Sequence, residues 1–414
     1  MSDNHLFETA WFLIRQNDSM SFQLLPGQPR NPVTQQLVPV GSAVRLLCTP
    51  APLPYTCANV SNVTVTFSPS ASRGLAVNVT VNLLVVVLRL SDSEECSGSE
   101  GADVTRLSDM LWGPRGVAEQ LQTCSYGNMR LNQQRSQVRE LTLQCRWDVM
   151  LCDHIATSNI ARQEVRRLIP NLNAFTHFMY VMPDASACQF QGISEQLGRT
   201  SWIRPGDLGV FKPGTVMQEL LHNYGLYHGW RDDTEYVDGS TFMGMAQSAC
   251  PSAPELLRLG WATPLAVLNR NLLPEATLDV YNVTIPATQA GPAGVTVRIL
   301  PDWLPGDAYT KNLYLSLRTR VNGDWQMDEE YVDQLSIHEA LRAADNGAGS
   351  STEDPRFNLV ALLEQGTKLT LDSYRLVVQA RELLVDSKAR RMMVDVCRFR
   401  FRSTECRMPP IPTM

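Results

Sequence analysis

From Gln218 to His228 the chain reads Gln-Glu-Leu-Leu-His-Asn-Tyr-Gly-Leu-Tyr-His, a spacing of nitrogen and oxygen donors that suits a metal ion. On a helix, positions four apart share a face, so Gln218 and His222 point the same way with Glu219 beside them. Gly225 can take a backbone conformation closed to other residues and turn the chain out of the helix, which lets His228 return as a third donor. Three protein ligands and one open position are what a catalytic zinc requires. Glu219 is a carboxylate outside that donor set, with the chemistry of a general base. A plainer reading stands beside this one. Thr215-Val-Met-Gln218 fits a helix capping box, in which the glutamine bonds back to the backbone and ligates nothing. Whether Gln218 supplies its amide oxygen to an ion or leaves that position to water stays open.

The same stretch matches the peptidase pattern H-E-x-x-H-x-x-G-x-x-H at every fixed position except the first, where Gln218 replaces histidine. Tyr236-Val-Asp-Gly-Ser-Thr-Phe-Met243-Gly244 follows. Met243 stands where metzincin peptidases carry a methionine turn beneath the metal. Further stretches extend the likeness: Leu83 to Leu90, Thr123-Cys-Ser-Tyr-Gly127, Met182-Pro183 with Cys188 beyond, Ala253-Pro254, and Leu259-Gly-Trp-Ala-Thr-Pro264. On these residues the chain resembles the gametolysin family, metzincin-type metallopeptidases of green algae that degrade cell-wall and extracellular-matrix glycoproteins. The likeness is densest over residues 80–265.

The resemblance implies an α+β fold, with a mixed sheet and an active-site helix in a metzincin-like catalytic domain. It implies Gln218, His222 and His228 at the metal, Glu219 as catalytic base, and Gly225 and Met243 as structural support. The metal it implies is zinc. Copper is a competitor, because a nitrogen and oxygen donor set that includes an amide suits either ion.

Composition is ordinary for a soluble globular protein. The chain has 414 residues, 19% of them charged and 44% hydrophobic, with a net charge of −6. That length holds two or three domains. No basic stripe with interleaved aromatics is present, so nucleic acid is excluded as a partner. No apolar run reaches the ~18 residues of a membrane span.

Ten cysteines contain no C-x-x-C pair, which argues for disulfides over a zinc ribbon or thiol redox site. They divide evenly into Cys48 and Cys57; Cys96, Cys124, Cys145, Cys152, Cys188 and Cys250; and Cys397 and Cys406. A disulfide between Cys48 and Cys57 is preferred to a thiolate that caps the metal in a latent form. Sequons begin at Asn17, Asn59, Asn62, Asn78 and Asn282, as in a secreted glycoprotein. The first residues, Met1-Ser-Asp-Asn-His-Leu-Phe-Glu, form no signal peptide. The cysteines and sequons point to an extracellular protein of matrix or cell wall, its leader encoded upstream.

Three regions position the motif. Residues 1–78 carry short alternating runs, Ala10 to Ile14 and Ala43 to Leu47, and read as a small β-rich unit in the place of the family's propeptide. A linker is expected over Ser68 to Gly74. Residues 79–265 form the catalytic domain: a buried strand at Leu83 to Leu90, a helix at His154 to Leu168 with Arg162, Arg166 and Arg167 toward solvent, a strand at Phe175 to Val181, the motif helix at Thr215 to Tyr224, and a helix starting at Pro254. Residues 266–414 form a β-rich domain with strands at Val295 to Leu300, Leu313 to Arg320, Tyr374 to Ala380 and Met392 to Phe401, and a loop at Asn346 to Asp354. His338-Glu339 repeats the first letters of the motif, but Arg342 stands where histidine is needed, so the pair is structural. His154 and His177 lack metal spacing. Asp238 and Ser240 are expected to hold the methionine turn by hydrogen bonds.

The chemistry expected is hydrolysis of protein substrates, cell-wall or matrix glycoproteins, by a metal-activated water with Glu219 as general base. The alternative is a catalytically silent relative that binds extracellular matrix. Retention of Glu219 favours the enzyme.

Overall fold

The computed structural model describes residues 10–16, 20–39, 41–67, 76–246, 249–273, 280–346, 353–386 and 389–410. The fold is α+β, with several sheets and few helices. The chain forms two compact units. The first comprises Met1–Ser70, Val81–Gly113 and Leu131–Asn223; the second comprises Ala71–Thr80, Pro114–Arg130 and Tyr224–Met414.

In the first unit, β1 (Trp11–Ile14), β2 (Ser21–Leu24), β3 (Ala43–Pro50) and β4 (Thr56–Phe67) form a four-stranded sheet in the order β1-β2-β4-β3. The short strands β5 (Val79–Val81) and β7 (Met129–Leu131), which lie mostly in the second unit, pair separately. A five-stranded sheet is built from β6 (Leu83–Ser91), β8 (Gln137–Gln144), β9 (His177–Val181), β10 (Gly192–Ser194) and β11 (Thr200–Ile203), in the order β10-β11-β9-β6-β8. β6 runs parallel to both β8 and β9. A strand covered on both faces must be apolar on both, which is why Leu83 to Leu88 reads as an unbroken apolar run and is buried throughout. β10 pairs antiparallel with β11 and forms one edge.

The helices α1 (Val104–Trp112), α3 (Trp147–Met150) and α4 (His154–Leu168) belong to this unit. α4 has the predicted bounds, and the Asp153 carboxylate caps it by accepting from the Ala156 amide. Arg162 corrects the expectation of a solvent-facing arginine, for it is buried. Its guanidinium lies 4.3 Å from the Phe178 ring centroid and its Nε donates to the Tyr180 hydroxyl. Stacking on aromatic faces is open to a guanidinium and is invisible to hydropathy.

The N-terminal sheet meets the rest of this unit through Phe12 and Tyr55, which pack against the apolar cluster under the five-stranded sheet. Ser21 fixes the contact. It exchanges two hydrogen bonds with the Asn159 amide on α4, and its hydroxyl donates to Glu195 Oε1 at 2.8 Å.

In the second unit lie α2 (Val117–Cys124), α6 (Ala253–Leu259) and α7 (Arg342–Asn346). Ser252 and Glu255 form a capping box at the start of α6, and Gly260, at φ +75°, ends it. A seven-stranded sheet contains β12 (Trp230–Arg231), β13 (Thr234–Glu235), β14 (Ala266–Leu268), β16 (Thr296–Ile299), β17 (Lys311–Leu317), β18 (Leu335–Leu341) and β19 (Asn358–Leu363). A four-stranded sheet contains β15 (Tyr281–Pro286), β20 (Thr367–Leu371), β21 (Leu376–Val385) and β22 (Arg390–Arg398). Both sheets contribute to one apolar cluster, with Val297, Leu315 and Ile337 from one and Val378, Val394 and Val396 from the other. β21 begins later than predicted because Asp372–Tyr374 form a 3-10 turn and Arg375 turns left-handed, at φ +54°. The expected linker at Ser68 to Gly74 and residues 347–352 of the expected loop lie outside the described residues.

All ten cysteines are paired, as Cys48–Cys57, Cys96–Cys145, Cys124–Cys250, Cys152–Cys188 and Cys397–Cys406. Each bridge falls within one of the three groups read from the sequence. Cys48 and Cys57 are thereby removed as metal-capping thiolates. Among the described residues no helix is long and apolar enough to cross a membrane.

His177, the first residue of β9, generates a test of this packing. Burial, with the neighbouring Arg199 charge, pushes its pKa down to about 4. An unfolded histidine titrates near 6.5. The neutral ring therefore contributes stability that is complete above about pH 6.5 and is lost as pH falls toward about 4. At about 1.4 kcal/mol per pH unit, the loss across that window is about 3 kcal/mol. His177→Gln is expected to flatten this part of the stability–pH curve in urea unfolding, and an unchanged slope would show that His177 is not its source.

Candidate active site

The motif sits on α5 (Pro213–His222). Pro213 occupies the first turn, where a missing backbone N–H costs nothing and the fixed φ suits a helix. The helix thus starts two residues before the predicted Thr215. The Thr215 hydroxyl donates to the Leu208 carbonyl, and no side chain caps the N-terminus. The capping-box reading of Thr215 and Gln218 is overturned: Gln218 lies well inside the helix, beyond reach of its unpaired first amides. From Gly214 to His222 every residue is buried except Gln218, which is half-buried. Among the described residues no hydrogen-bond partner engages its amide.

Glu219 is 3% exposed. Its Oε2 accepts from the Ser194 hydroxyl at 2.7 Å. Burial raises the carboxyl pKa to about 8, against the opposing effect of that hydrogen bond. Ser194 belongs to β10, and the hairpin of β10 and β11 is tied to the end of α5. The Leu197 amide donates to the His222 carbonyl at 3.1 Å, and the Asn223 amide donates to the Glu195 carbonyl at 2.7 Å. Gly225 has φ +85°, a conformation in which any side chain would be strained.

In the second unit, His228 Nδ1 lies 2.7 Å from Glu235 Oε1, and its ring packs on Tyr236 with centroids 3.9 Å apart. The Gly229 amide donates to the Met243 carbonyl at 2.7 Å, so the chain just after His228 is pinned to the turn that carries Met243. Met243 is fully buried. A Cβ at Gly229 would stand 2.8 Å from the Thr241 methyl, and one at Gly244 would stand 1.9 Å from the Asp238 carbonyl oxygen. Only glycine fits at either place.

Asp238 anchors the turn. Its Oδ1 accepts from the Ser240 amide and its Oδ2 lies 3.0 Å from His338 Nε2, with both side chains almost fully buried. Burial alone would raise the Asp238 pKa, but the hydrogen bond and charge of His338, with Ser240, hold it below the ordinary value. Glu255 accepts from the Thr241 hydroxyl and the Ser252 amide, each at 2.6 Å, which joins the turn to α6.

The structure thus places Gln218, Glu219 and His222 on one helix of the first unit, and Gly225, His228 and Met243 in the second. Among the described residues no three His, Cys, Asp or Glu side chains gather as a metal site; the motif itself offers two imidazoles and an amide. The donor chemistry nevertheless fits an ion. With Nδ1 committed to Glu235, His228 would present Nε2, and a carboxylate behind the ring is the usual arrangement of a ligating histidine.

A profile of the gametolysin peptidase M11 family matches residues 85–373, well over half of the chain. The chain belongs to the gametolysin peptidase family. It is also similar to an autolysin of Chlamydomonas reinhardtii, 31% identical over 96 residues, a match that covers 21% of this chain and 15% of that relative's length. The family so matched is one of peptidases that are generally metal-dependent.

Glu235, Gly192 and Ser194 touch motif residues and were missed by sequence reasoning, whereas His338, read as structural, is the buried partner of Asp238. Glu235 lies seven residues from His228 and carries a weak local signal, a carboxylate just after a motif histidine. The others come from distant strands, and nothing local marks them.

The Asp238–His338 pair can be tested directly. His338→Leu leaves the carboxylate buried without its partner and is expected to destabilise the fold by about 3 kcal/mol or more in chemical unfolding. Combining it with Asp238→Asn should recover part of that loss. A single-variant cost within about 0.5 kcal/mol, as at an ordinary surface position, would show that the pair does not hold the turn.

Proposed function

We propose that the chain is a metal-dependent endopeptidase of the gametolysin type, with a metzincin-like catalytic fold, acting outside the cell on cell-wall or extracellular-matrix glycoproteins. The observation that carries this is Glu219. It is a carboxylate held inside the motif helix with a hydroxyl, and no cation, as its hydrogen-bond partner. Burying such a group costs stability, and a binding module would lose nothing by replacing it. A silent matrix-binding relative is favoured only by Gln218 in place of histidine.

Gln218, His222 and His228 would hold the ion, zinc or copper. When bound, the metal would polarise the scissile carbonyl and make a water acidic enough to be deprotonated near neutral pH. Glu219 takes the proton from that water and later delivers it to the departing amine. Glu235 keeps His228 in one tautomer. β10 is an edge strand, so an extended peptide can add alongside it by backbone hydrogen bonds. The mixed five-stranded sheet and the motif helix support the metzincin-like reading, and the five disulfides support an extracellular location. We take the N-terminal sheet as a propeptide-like region.

Metal content of the purified protein, followed by hydrolysis of a generic protein with and without chelator, separates the peptidase from the binding module. Glu219→Gln is expected to lower hydrolysis by about 10²-fold or more while metal stays bound, since the carboxylate moves protons and does not anchor the ion. Loss of metal in that variant would make Glu219 a ligand.

The departure at position 218 gives a second test. Gln218→His should tighten zinc binding by about 1.5–3 kcal/mol, the range of an interaction with a charged group, because imidazole is the better zinc donor. Gln218→Ala should weaken metal binding and leave folding intact, since alanine suits a helix interior. Unchanged affinity in both variants would place Gln218 away from the metal.

A further inference from the structure

β10 presents two residues to Glu219. Gly192 and Ser194 are two apart and therefore lie on one face of the strand. A Cβ at Gly192 would stand 2.5 Å from Glu219 Oε1 and 2.7 Å from both Cδ and Cγ, so the carboxylate packs directly on bare backbone. The Ser194 hydroxyl lies 2.7 Å from Oε2, 2.9 Å from the Glu219 carbonyl and 2.9 Å from Ser201 Oγ. It has a single proton. The carboxyl oxygen is the nearest of the three acceptors.

Ser201 stands directly opposite Ser194 in the antiparallel pairing of β10 and β11. Its own hydroxyl is 3.4 Å from Asn223 Oδ1, and Asn223 also donates to the Thr200 carbonyl. The seryl hydroxyl is thus held by the hairpin, and the hairpin by the end of α5. A glutamate has three side-chain torsions and would otherwise sample several rotamers. A displaced base is costly, because an error of 1 Å in a reacting group can lower rate about 10²-fold.

Given Glu219 as general base, which rests on the peptidase function proposed above, we propose that Ser194 is a positioning residue that fixes the Glu219 carboxylate, with Gly192 as the surface it rests against. Ser194 engages Oε2. Oε1, over the bare Cα of Gly192, is left to accept the proton from water.

The test uses the full chain with its metal. Ser194→Ala is expected to lower kcat about tenfold or more, with KM within about twofold and metal content unchanged. Ser194→Thr, which keeps the hydroxyl, should recover most of the loss. Gly192→Ala should lower kcat as well, by pushing the carboxylate aside. A purely structural role for Ser194 would instead lower the unfolding midpoint without this split between kcat and KM, and would overturn the proposal, as would wild-type kcat in Ser194→Ala. A second measurement does not depend on activity. In a double-mutant cycle of Ser194→Ala and Glu219→Gln read by urea unfolding, coupled residues give non-additive midpoint shifts. Additive shifts overturn the proposal even if the protein proves to hydrolyse nothing. Non-additive shifts in an inactive protein uphold the contact and reject the peptidase function.

Discussion

A carboxylate buried in a helix that is otherwise enclosed by apolar side chains sets the terms for the first unit. Glu219 lies among Val216, Met217, Leu220 and Leu221, all of them essentially inaccessible to water. Left without a donor, it would cost several kcal/mol. The sheet therefore brings a hydroxyl to it from β10 and leaves a glycine where a side chain would collide. The strand that does this is only three residues long and lies at an edge, where little else would hold it. Its loop is instead bound by Asn223 and by the Leu197–His222 backbone bond. Glu195 in that loop is buried too, and it accepts from the Arg199 and Thr200 amides and from Ser21. The N-terminal sheet is thus joined by hydrogen bonds to the same loop that supports Glu219.

The second unit solves a different problem, that of holding a tight turn without regular structure. The residues from Asp238 to Gly244 are neither helix nor strand. Buried backbone groups must still find partners. They do so through Asp238 with Ser240, Thr241 with Met243, and the Gly229–Met243 bond. Asp238 is in turn held by His338 from the middle of β18, deep in the seven-stranded sheet. A buried pair of this kind adds little net stability over an apolar pair, but its geometry admits few alternatives. The turn that follows His228 is thereby tied to the seven-stranded sheet, and Cys124–Cys250 fastens its far end.

Proteolytic chemistry asks for a base, an ion and a peptide in fixed relation, and each residue proposed for it here has a supporting partner. Glu219 has Ser194 and Gly192; His228 has Glu235 and Tyr236; Met243 has Gly229 and Thr241. Sites built this way lose rotameric freedom before substrate arrives, which is where positioned catalysis gains over solution chemistry. The supports are mostly small or polar residues on strands and turns, so each can be altered without emptying the apolar core.

Local patterns in the sequence determined the elements and the motif. The apolar run at Leu83 to Leu90 reads as a buried strand, and the 3.6-residue period from His154 to Leu168 gave α4 its bounds, because burial imposes its period on residue order. The even grouping of cysteines anticipated bridges within each group. The motif spacing named Gln218, Glu219, His222, Gly225 and His228, since helix geometry converts spacing into a shared face. Tertiary structure decided the rest. Arg162 is buried because aromatic rings of β9 lie beneath it. Gln218 is no helix cap because Pro213 starts the helix earlier. His338, which looked like a broken copy of the motif, became the partner of Asp238 a hundred residues away. Ser194 and Gly192 gained their meaning only when β10 folded against α5. Contacts of this kind join residues whose separation along the chain has no period, so no local pattern encodes them, and only the packed fold brings them within reach.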